Sequence, residues 1–301
     1  MSQTPYPPIE LAARVGELHG ANFALYEEIG RSVRAEILGV LPEDWSFDGK
    51  AVLDFGCGAG RTLRHFLDEA ENGSFHGCDM DAPSIAWLES NLSPPLHVFA
   101  NGEEPPLPLE TASLDLIWAI SVFTHISDHW AAWLVELHRL LRKDGLLIAT
   151  IFGPALSEEW TEATPDPRVA RGGEGVAEAD RIGMNVLHHG RSWDQGGPAV
   201  FLSRWWIEKH WGRAFEILTL REEGFAATPK WRGQGVLLAR KRPVAITVEE
   251  LERVDPADAR EIEALRHNIR QLHHESQKAR ESAAWLERER AALAEQVPRG
   301  S

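Results

Sequence analysis

The sequence predicts an α/β fold: a doubly wound, mostly parallel sheet of seven strands, with N-terminal helices before it and one long helix after it. Short apolar stretches alternate with helical patterns through the first half of the chain. Several stretches are apolar throughout, which is typical of strands buried on both faces. Alternation of strand and helix implies parallel strands with helices on both faces of the sheet.

The seven predicted strands are spread over most of the chain. In order they are KAVLDF, SFHGCD, LHVFA, LDLIWAIS, GLLIATIFG, FEILTLR and GVLLARK. Helices are predicted between them: from about Gly60 to Ala70, after Pro83, over HWAAWLVELHRLLR and near RWWIEKHW. Apolar residues recur at intervals of three and four within residues 8–42, which predicts helices there as well.

Residues 153–203 interrupt the alternation, because they are rich in glycine, proline and charge and show little periodicity. A connection of this length inside a domain is usually functional or disordered. We therefore expect a substrate-side insertion at residues 153–203 of a main domain spanning residues 46–244. An N-terminal helical cap of residues 1–45 would precede that domain.

The tail, residues 247–296, carries a heptad pattern. Asp255 followed by Pro256 predicts the helix start, with proline at the first helical position. The pattern predicts a coiled coil and hence a homo-oligomer, with Glu261 and Arg266 placed to pair across a parallel dimer. A long helix folded back on its own domain is the alternative. The seam positions are Ile262, Leu265, Ile269, Leu272, Ser276, Ala279, Ala283, Leu286, Arg290 and Leu293.

Charge and composition restrict the class of protein. The formal net charge of −15 over 301 residues argues against broad contact with nucleic acid or an anionic membrane. No apolar run reaches the roughly 18 residues that a membrane-spanning helix needs. Two cysteines, Cys57 and Cys78, lie in strand–turn units, and no secretory signal is recognisable, so we expect reduced thiols and a cytoplasmic location. The final VPRGS, residues 297–301, matches a protease site left by an expression vector.

The stretch AVLDFGCGAGR, residues 51–61, predicts a buried strand, a glycine-rich turn and a helix start. Such a turn normally binds a phosphate, and dinucleotide sites follow G-x-G-x-x-G or A. Here the glycines follow G-x-G-x-G, and Arg61 stands where the third small residue would be. Asp54 would repel a pyrophosphate, which disfavours a nicotinamide-dependent reductase. It would attract the ammonium end of S-adenosylmethionine, and the glycines would let the backbone approach that ligand.

These residues resemble the first motif of the class I S-adenosylmethionine-dependent methyltransferases, in which an acidic residue stands two positions before G-x-G-x-G. Similar segments follow in the family's order: FHGCDMD, FANGEEPPLPL, LDLIWAISVFTHI and LLRKDGLLIAT. In the last of these, Lys143-Asp144-Gly145 replaces the family's usual proline–glycine pair. The resemblance covers residues 45–152 well and 200–242 loosely, and it implies S-adenosylmethionine as the cofactor.

The resemblance also implies roles for particular residues. Asp79, with Asp81 as the alternative, would bind the ribose hydroxyls, and Met80 would lie against the adenine. Asn101, with Glu103 as the alternative, would meet the adenine edge. Asp79 as a helix cap and Asn101 as a turn residue are the competing interpretations. The expected cofactor site comprises Asp54, Gly56, Cys57, Gly58, Gly60, Asp79, Met80, Asn101 and Ser121.

A hydroxyl acceptor would need a general base, and histidine is the commonest one. The candidates are His125, just after the fourth strand, and His188, His189 and Asp194 in the insertion. A structural role for His125 and a surface role for the histidine pair are the competing interpretations. The pair and Asp194 could instead bind a metal, but no clear carboxylate cluster supports one, and we expect none.

The runs MNVLHHGRSWDQGGPAVF and WWIEKHWGRAFEIL, together with the tail, resemble a bacterial subgroup of these methyltransferases associated with glycan assembly. The resemblance implies O-methylation of a saccharide or another small-molecule hydroxyl. N-methylation of a small amine and a catalytically silent assembly protein are the alternatives. The segment KWRGQG lacks the histidine–aspartate pair of that subgroup, which leaves the base and the acceptor open.

Overall fold

The computed structural model of the chain describes residues 4–13, 23–153, 182–187, 190–193, 196–227 and 233–296. Nine strands and eight α-helices lie in these ranges. The strands are β1 (Ala51–Phe55), β2 (Ser74–Asp79), β3 (His97–Ala100), β4 (Leu114–Ala119), β5 (Leu141–Ile151), β6 (Met184–Leu187), β7 (Ala199–Leu202), β8 (Phe215–Phe225) and β9 (Gln234–Lys241). The helices are α1 (Ile9–Ala12), α2 (Phe23–Val40), α3 (Leu67–Ala70), α4 (Ala82–Asn91), α5 (Trp130–Leu140), α6 (Arg204–His210), α7 (Val248–Glu252) and α8 (Ala259–Gln296).

A seven-stranded sheet forms the centre, in the order β3-β2-β1-β4-β5-β9-β8. Strands β1 to β5 pair in parallel, whereas β9 is antiparallel to both of its neighbours. The predicted doubly wound, mostly parallel seven-stranded sheet is therefore confirmed. After β3 the chain returns to the other side of β1 and enters β4, so the order reverses between β1 and β4. Ligands of open α/β sheets bind outside the carboxyl ends of the strands at such a point.

Each central strand sends alternate side chains into two separate cores, as the period of two requires. One core packs α5, α6 and α7 against one face of the sheet. The other packs α2 and α4 against the opposite face. Neighbouring residues therefore divide between the cores: Leu53, Ile117 and Leu147 in the first, and Val52, Leu116 and Ile148 in the second. Both faces are covered, which explains why the strands are apolar throughout.

Several predicted boundaries differ from those observed. The N-terminal helical stretch contains α1 and α2, while residues 14–22 lie outside the described ranges. The helix predicted from Gly60 begins as a 3-10 turn, Leu63–Phe66, and becomes α3 only afterwards. Helix α4 begins at Ala82, before Pro83, and Asp81 stands at its N-cap position without a side-chain cap hydrogen bond.

Part of the predicted irregular insertion is a β-hairpin. Strands β6 and β7 pair antiparallel, with Met184 opposite Leu202 and Leu187 opposite Ala199. A parallel bridge between Phe152 and Phe201 joins the hairpin to the end of β5. Strands of four residues are too short to show a reliable period, which is why the sequence pattern did not reveal them.

The tail helix α8 is observed, and its 38 residues extend over about 57 Å. It begins at Ala259 and not at the predicted Pro256. The reason is that the Asp258 carboxylate accepts a hydrogen bond of 2.9 Å from the backbone N–H of Arg260 and caps the first turn. The described side chains from Leu265 to Arg290 are exposed or partly exposed, so the helix alone does not show a coiled coil.

A cluster of charges attaches the start of α8 to α6. The ammonium of Lys209 lies 3.2 Å from the Asp255 carboxylate, 2.8 Å from that of Asp258 and 3.0 Å from that of Glu261. Glu261 is only 3% exposed, and its other oxygen accepts from the backbone N–H of Asp255 at 2.7 Å. The predicted pairing of Glu261 with Arg266 across a dimer is therefore wrong, because the Glu261 carboxylate is bound within its own chain.

None of the helices in the described ranges combines the length and the hydropathy that crossing a membrane would need.

We expect Lys209→Met to lower the free energy of unfolding by about 1–3 kcal/mol, because it leaves the buried Glu261 carboxylate without its cation. Arg240→Met is the control, since Arg240 forms only an exposed ion pair with Glu216 and such pairs contribute about 0–1 kcal/mol. Urea unfolding followed by circular dichroism measures both. Equal losses in the two variants would contradict a buried role for the Lys209 cluster.

Candidate functional site

The glycine turn leaves β1 with three residues in the left-handed region: Gly56, Gly58 and Gly60 have φ values of 81°, 52° and 76°. The backbone N–H of Gly56 and that of Cys57 donate to the carbonyl of Cys78 at 2.8 and 3.0 Å, which ties the turn to the end of β2. A Cβ at Gly56 would lie 2.4 Å from Val122 Cγ2, and one at Gly60 would lie 2.5 Å from Leu88 Cδ2. Both conformation and space therefore require glycine at these two positions.

Asp54 is the penultimate residue of β1 and is buried just before this turn. It is 2% exposed, and its Oδ2 atom has no hydrogen-bond partner in the described part of the chain. Burial raises the pKa of Asp54 to about 7; the nearby Trp118 indole N–H lowers it, Asp79 raises it and Arg61 lowers it. A buried carboxylate oxygen without a donor is costly. A positively charged donor at this point would relieve that cost.

Asp79 ends β2 and faces the same turn. Its Oδ2 accepts from the backbone N–H of Gly58 at 2.7 Å, and its Oδ1 accepts from that of Asp81 at 2.8 Å. Burial raises the pKa of Asp79, and these backbone hydrogen bonds oppose the increase. Asp81 occupies the N-cap position of α4 and accepts a hydrogen bond from the Ser84 hydroxyl. Asp79, and not Asp81, is therefore the carboxylate beside the glycine turn.

Asn101 follows β3 and lies beside Asp79, at the carboxyl ends of the strands. Its backbone N–H donates to the carbonyl of Asp79 at 3.1 Å, and its Nδ2 donates to Gly102 at 2.8 Å. Its Oδ1 is buried and meets no donor from the described residues. Met80 is half-buried beside Asp79, and the Glu103 side chain is exposed.

Cys57 contributes bulk and not charge. Its side chain is buried, and burial raises the pKa of the thiol well above its usual value. Neither Cys57 nor Cys78 forms a disulfide. Cys57 therefore fills the turn as a neutral side chain.

On the other side of β1, the segment after β4 carries Ser121 in the left-handed region, with φ of 61°. The backbone N–H of Ser121 donates to Thr150 Oγ1 at 2.7 Å, and its hydroxyl accepts from Gln234 Nε2 at 2.9 Å. The network joins the ends of β4 and β5 to the start of β9. Sequence reasoning missed Thr150 and Gln234, although Thr150 is the one hydroxyl within the apolar run GLLIATIFG.

His125 follows on the same segment. Its Nδ1 lies 2.8 Å from the carbonyl oxygen of Pro198. A carbonyl only accepts, so Nδ1 carries the proton and Nε2 keeps its lone pair. Burial lowers the pKa of His125, and the hydrogen bond to Pro198 opposes this decrease. The imidazole is therefore neutral at pH 7, and Nε2 can accept a proton.

The other predicted catalytic residues cannot be placed. His188, His189 and Asp194 lie outside the described ranges. Within those ranges, no group of three or more histidine, cysteine, aspartate or glutamate side chains is arranged to hold a metal ion. The predicted base in the insertion therefore stays a prediction.

Residues 53–147 match the family described as a methyltransferase domain. The match covers about a third of the chain. The chain is 28% identical over 107 residues to phthiotriol/phenolphthiotriol dimycocerosates methyltransferase 1 of Mycobacterium ulcerans, covering 36% of this chain and 39% of that protein. It is 31% identical over 130 residues to a tRNA N(3)-methylcytidine methyltransferase of Schizosaccharomyces pombe. That alignment covers 39% of this chain and 41% of the other protein. It thus spans about two fifths of each of these curated relatives.

Among solved structures, the chain is similar to the magnesium protoporphyrin IX methyltransferase of Synechocystis PCC 6803, which was crystallised with bound S-adenosylhomocysteine. The TM-score is 0.50 at 14% identity, and the alignment covers 76% of this chain and 91% of the other. Similarity at this identity shows the class I methyltransferase fold, in agreement with the strand order of the sheet.

The cofactor of a methyltransferase domain with this fold is S-adenosylmethionine, and the residues present fit it. The unpartnered Oδ2 of Asp54 would hold the ammonium end, and the free lone pairs of Asp79 would accept from the ribose hydroxyls. The unpartnered Oδ1 of Asn101 would accept from the adenine amino group. These assignments agree with the predicted cofactor residues and remain to be tested.

We expect binding of S-adenosylhomocysteine near pH 7 to release a proton. A carboxylic acid whose pKa is raised to about 7 is partly protonated there, and a bound ammonium would lower that pKa. Calorimetric titrations in buffers of different ionisation enthalpy measure the release.

Asp54→Asn should abolish this proton release, whereas Asp115→Asn should retain it. Asp115 is a half-buried aspartate that pairs with Lys50 at the opposite end of the sheet. Unchanged proton release from Asp54→Asn would show that another group titrates.

Proposed function

We propose that this chain is an S-adenosylmethionine-dependent methyltransferase that methylates a hydroxyl of a saccharide or another small molecule. The observation that carries the proposal is the position of His125. It lies after β4 on the segment whose Val122 packs against the glycine turn. The base and the cofactor residues therefore share one edge of the sheet, on either side of the point where the strand order reverses.

When bound, S-adenosylmethionine supplies an electrophilic methyl group on a sulfonium. His125 accepts the proton of the acceptor hydroxyl at Nε2 while the Pro198 carbonyl holds the Nδ1–H. This arrangement fixes the tautomer, as a positioned base requires. The ring of Phe152 stands edge-on at 5.8 Å and limits the rotation of the imidazole.

The choice of acceptor class rests on other observations. The resemblance of the insertion and tail to glycan-assembly methyltransferases favours a saccharide hydroxyl. One relative is named for phthiotriol/phenolphthiotriol dimycocerosates and another for a tRNA cytidine. The net charge of −15 disfavours an RNA acceptor. A transfer assay with radiolabelled cofactor and separate pools of saccharides, small amines and tRNA distinguishes the three classes, and incorporation into the saccharide pool is the expected result.

We expect His125→Gln to lower kcat for a hydroxyl acceptor by about 10²–10⁴-fold, because general-base catalysis contributes that much. Binding of S-adenosylhomocysteine should be unchanged. The wild-type rate should rise with pH through a pKa below 6.5 and then level off, since burial lowers the pKa of His125. The variant should lose this rise.

The control is His129→Gln, because His129 is exposed and faces Glu104. It should keep both the rate and the pH profile. Full turnover of His125→Gln would favour transfer to nitrogen, for which a base matters less. Cofactor binding without transfer to any pool would favour the silent assembly protein.

We also propose that the chain forms a parallel homodimer through α8. Large apolar side chains are exposed at successive seam positions: Leu265 is 45% exposed, Ile269 57%, Leu272 51% and Leu286 59%. Isoleucine at the first seam position and leucine at the second favour two parallel strands. Because Glu261 is bound to Lys209, the seam available to a partner begins near Leu265.

Leu272→Glu should convert the dimer to a monomer, because two carboxylates would face each other in the seam. His274→Glu, which places the same charge on the opposite face of the helix, should leave the dimer intact. Sedimentation equilibrium measures both variants. A wild-type chain that is monomeric at micromolar concentration would contradict the proposed dimer.

A further inference from the structure

A polar cavity of about 410 Å³ lies outside the residues assigned to cofactor and acceptor. It is an open depression lined by the N-terminal segment around Tyr6, by α2 through Glu27 and Arg31, and by the 3-10 turn that carries Arg64 and His65. None of these five residues belongs to the predicted site. The comparisons name no function for them.

Arg64 forms the floor of this cavity and is incompletely paired. Its side chain is 3% exposed, and Nε lies 2.8 Å from Glu27 Oε1. Its Nη2 donates to the carbonyl of Thr4 at 3.0 Å, and the guanidinium lies 4.5 Å from the ring centroid of Tyr6. Nη1 is buried and has no acceptor among the described residues. A guanidinium has five N–H donors in a fixed fork, so a buried nitrogen without an acceptor marks a place for one.

The charges around the cavity favour an anion. Two guanidinium groups, those of Arg31 and Arg64, and one carboxylate, that of Glu27, line the cavity. His65 adds no charge at pH 7, because burial lowers its pKa. The cavity is therefore net positive within a chain of net charge −15. Arg31 is exposed at the rim, where it can reach an entering ligand.

Tyr26 lies next to both this cavity and the glycine turn. Its hydroxyl donates to the carbonyl of Ala59 at 3.1 Å, and its ring centroid lies 5.8 Å from the Arg64 guanidinium. Burial raises the pKa of Tyr26 to about 12, so the ring stays neutral and keeps its hydrogen bond to the turn. Tyr26 therefore contacts Ala59 of the glycine turn with its hydroxyl and Arg64 of the cavity with its ring.

We propose that this cavity binds the carboxylate or phosphate group of a small ligand other than the cofactor at the glycine turn. The oxyanion accepts from Nη1 of Arg64 and pairs with Arg31. A carboxylate is planar and a phosphate is tetrahedral, and the oxygens of either can accept from the N–H groups of a guanidinium. This inference does not depend on the proposed methyl transfer.

The test is a calorimetric titration of inorganic phosphate, and separately of malonate, into the full chain at constant ionic strength. Each titration is run with and without saturating S-adenosylhomocysteine. The expected result is saturable binding of one anion per chain in both conditions. The anion with the lower dissociation constant identifies the source, either a phosphate or a carboxylate.

Arg31→Gln and Arg64→Lys should each raise the dissociation constant of the anion about tenfold, because each removes a charge-assisted contact. Both should bind S-adenosylhomocysteine within about twofold of the wild type. Arg64 meets the glycine turn through its backbone N–H, which donates to the Gly60 carbonyl at 3.0 Å, and neither substitution removes that group. Arg240→Gln, an exposed arginine on β9, is the charge-matched control and should bind the anion as the wild type does. Arg31 is exposed, so its variant keeps the test open if Arg64→Lys does not fold.

Three results would overturn the proposal. The first is no saturable binding of either anion. The second is equal weakening by Arg31→Gln and Arg240→Gln, which would indicate a nonspecific charge effect. The third is displacement of the anion by S-adenosylhomocysteine, which would make the cavity the end of the cofactor site.

Discussion

The fold places one carboxylate, that of Asp54, out of water at the end of the central strand and gives its outer oxygen no partner among the described residues. The cost of that burial is the constraint on which the site depends. It raises the pKa of Asp54 to about 7, so the turn resists a further negative charge and favours a positive one. A carboxylate at this position is less compatible with a pyrophosphate than with a cationic ligand.

The two halves of the site are held in different ways. On the cofactor half, backbone N–H and C=O groups of β1, β2 and β3 fix the turn, Asp79 and Asn101. After β4, side chains take part as well: the Ser121 hydroxyl accepts from Gln234, and the His125 imidazole donates to the Pro198 carbonyl. Backbone hydrogen bonds constrain geometry regardless of side-chain identity, whereas contacts made by side chains depend on the residues present.

Sequence patterns predicted the parts of the structure that depend on local order. The apolar strands, the glycine turn and the placement of Asp54 and Asp79 at strand ends all follow from short stretches of chain. Contacts between distant residues left no such pattern. Gln234 meets Ser121 across 113 positions, and Lys209 meets Asp258 across 49. The Lys209 contacts also explain why Glu261 is bound within its own chain, which the heptad pattern alone could not indicate.

The most direct test of the central claim is a crystal structure of the chain with S-adenosylhomocysteine. The account predicts the amino end of the ligand beside Asp54 in the glycine turn and its ribose against Asp79. A glycine turn that stays empty at saturating ligand, or that instead takes the pyrophosphate of NADH, would contradict it.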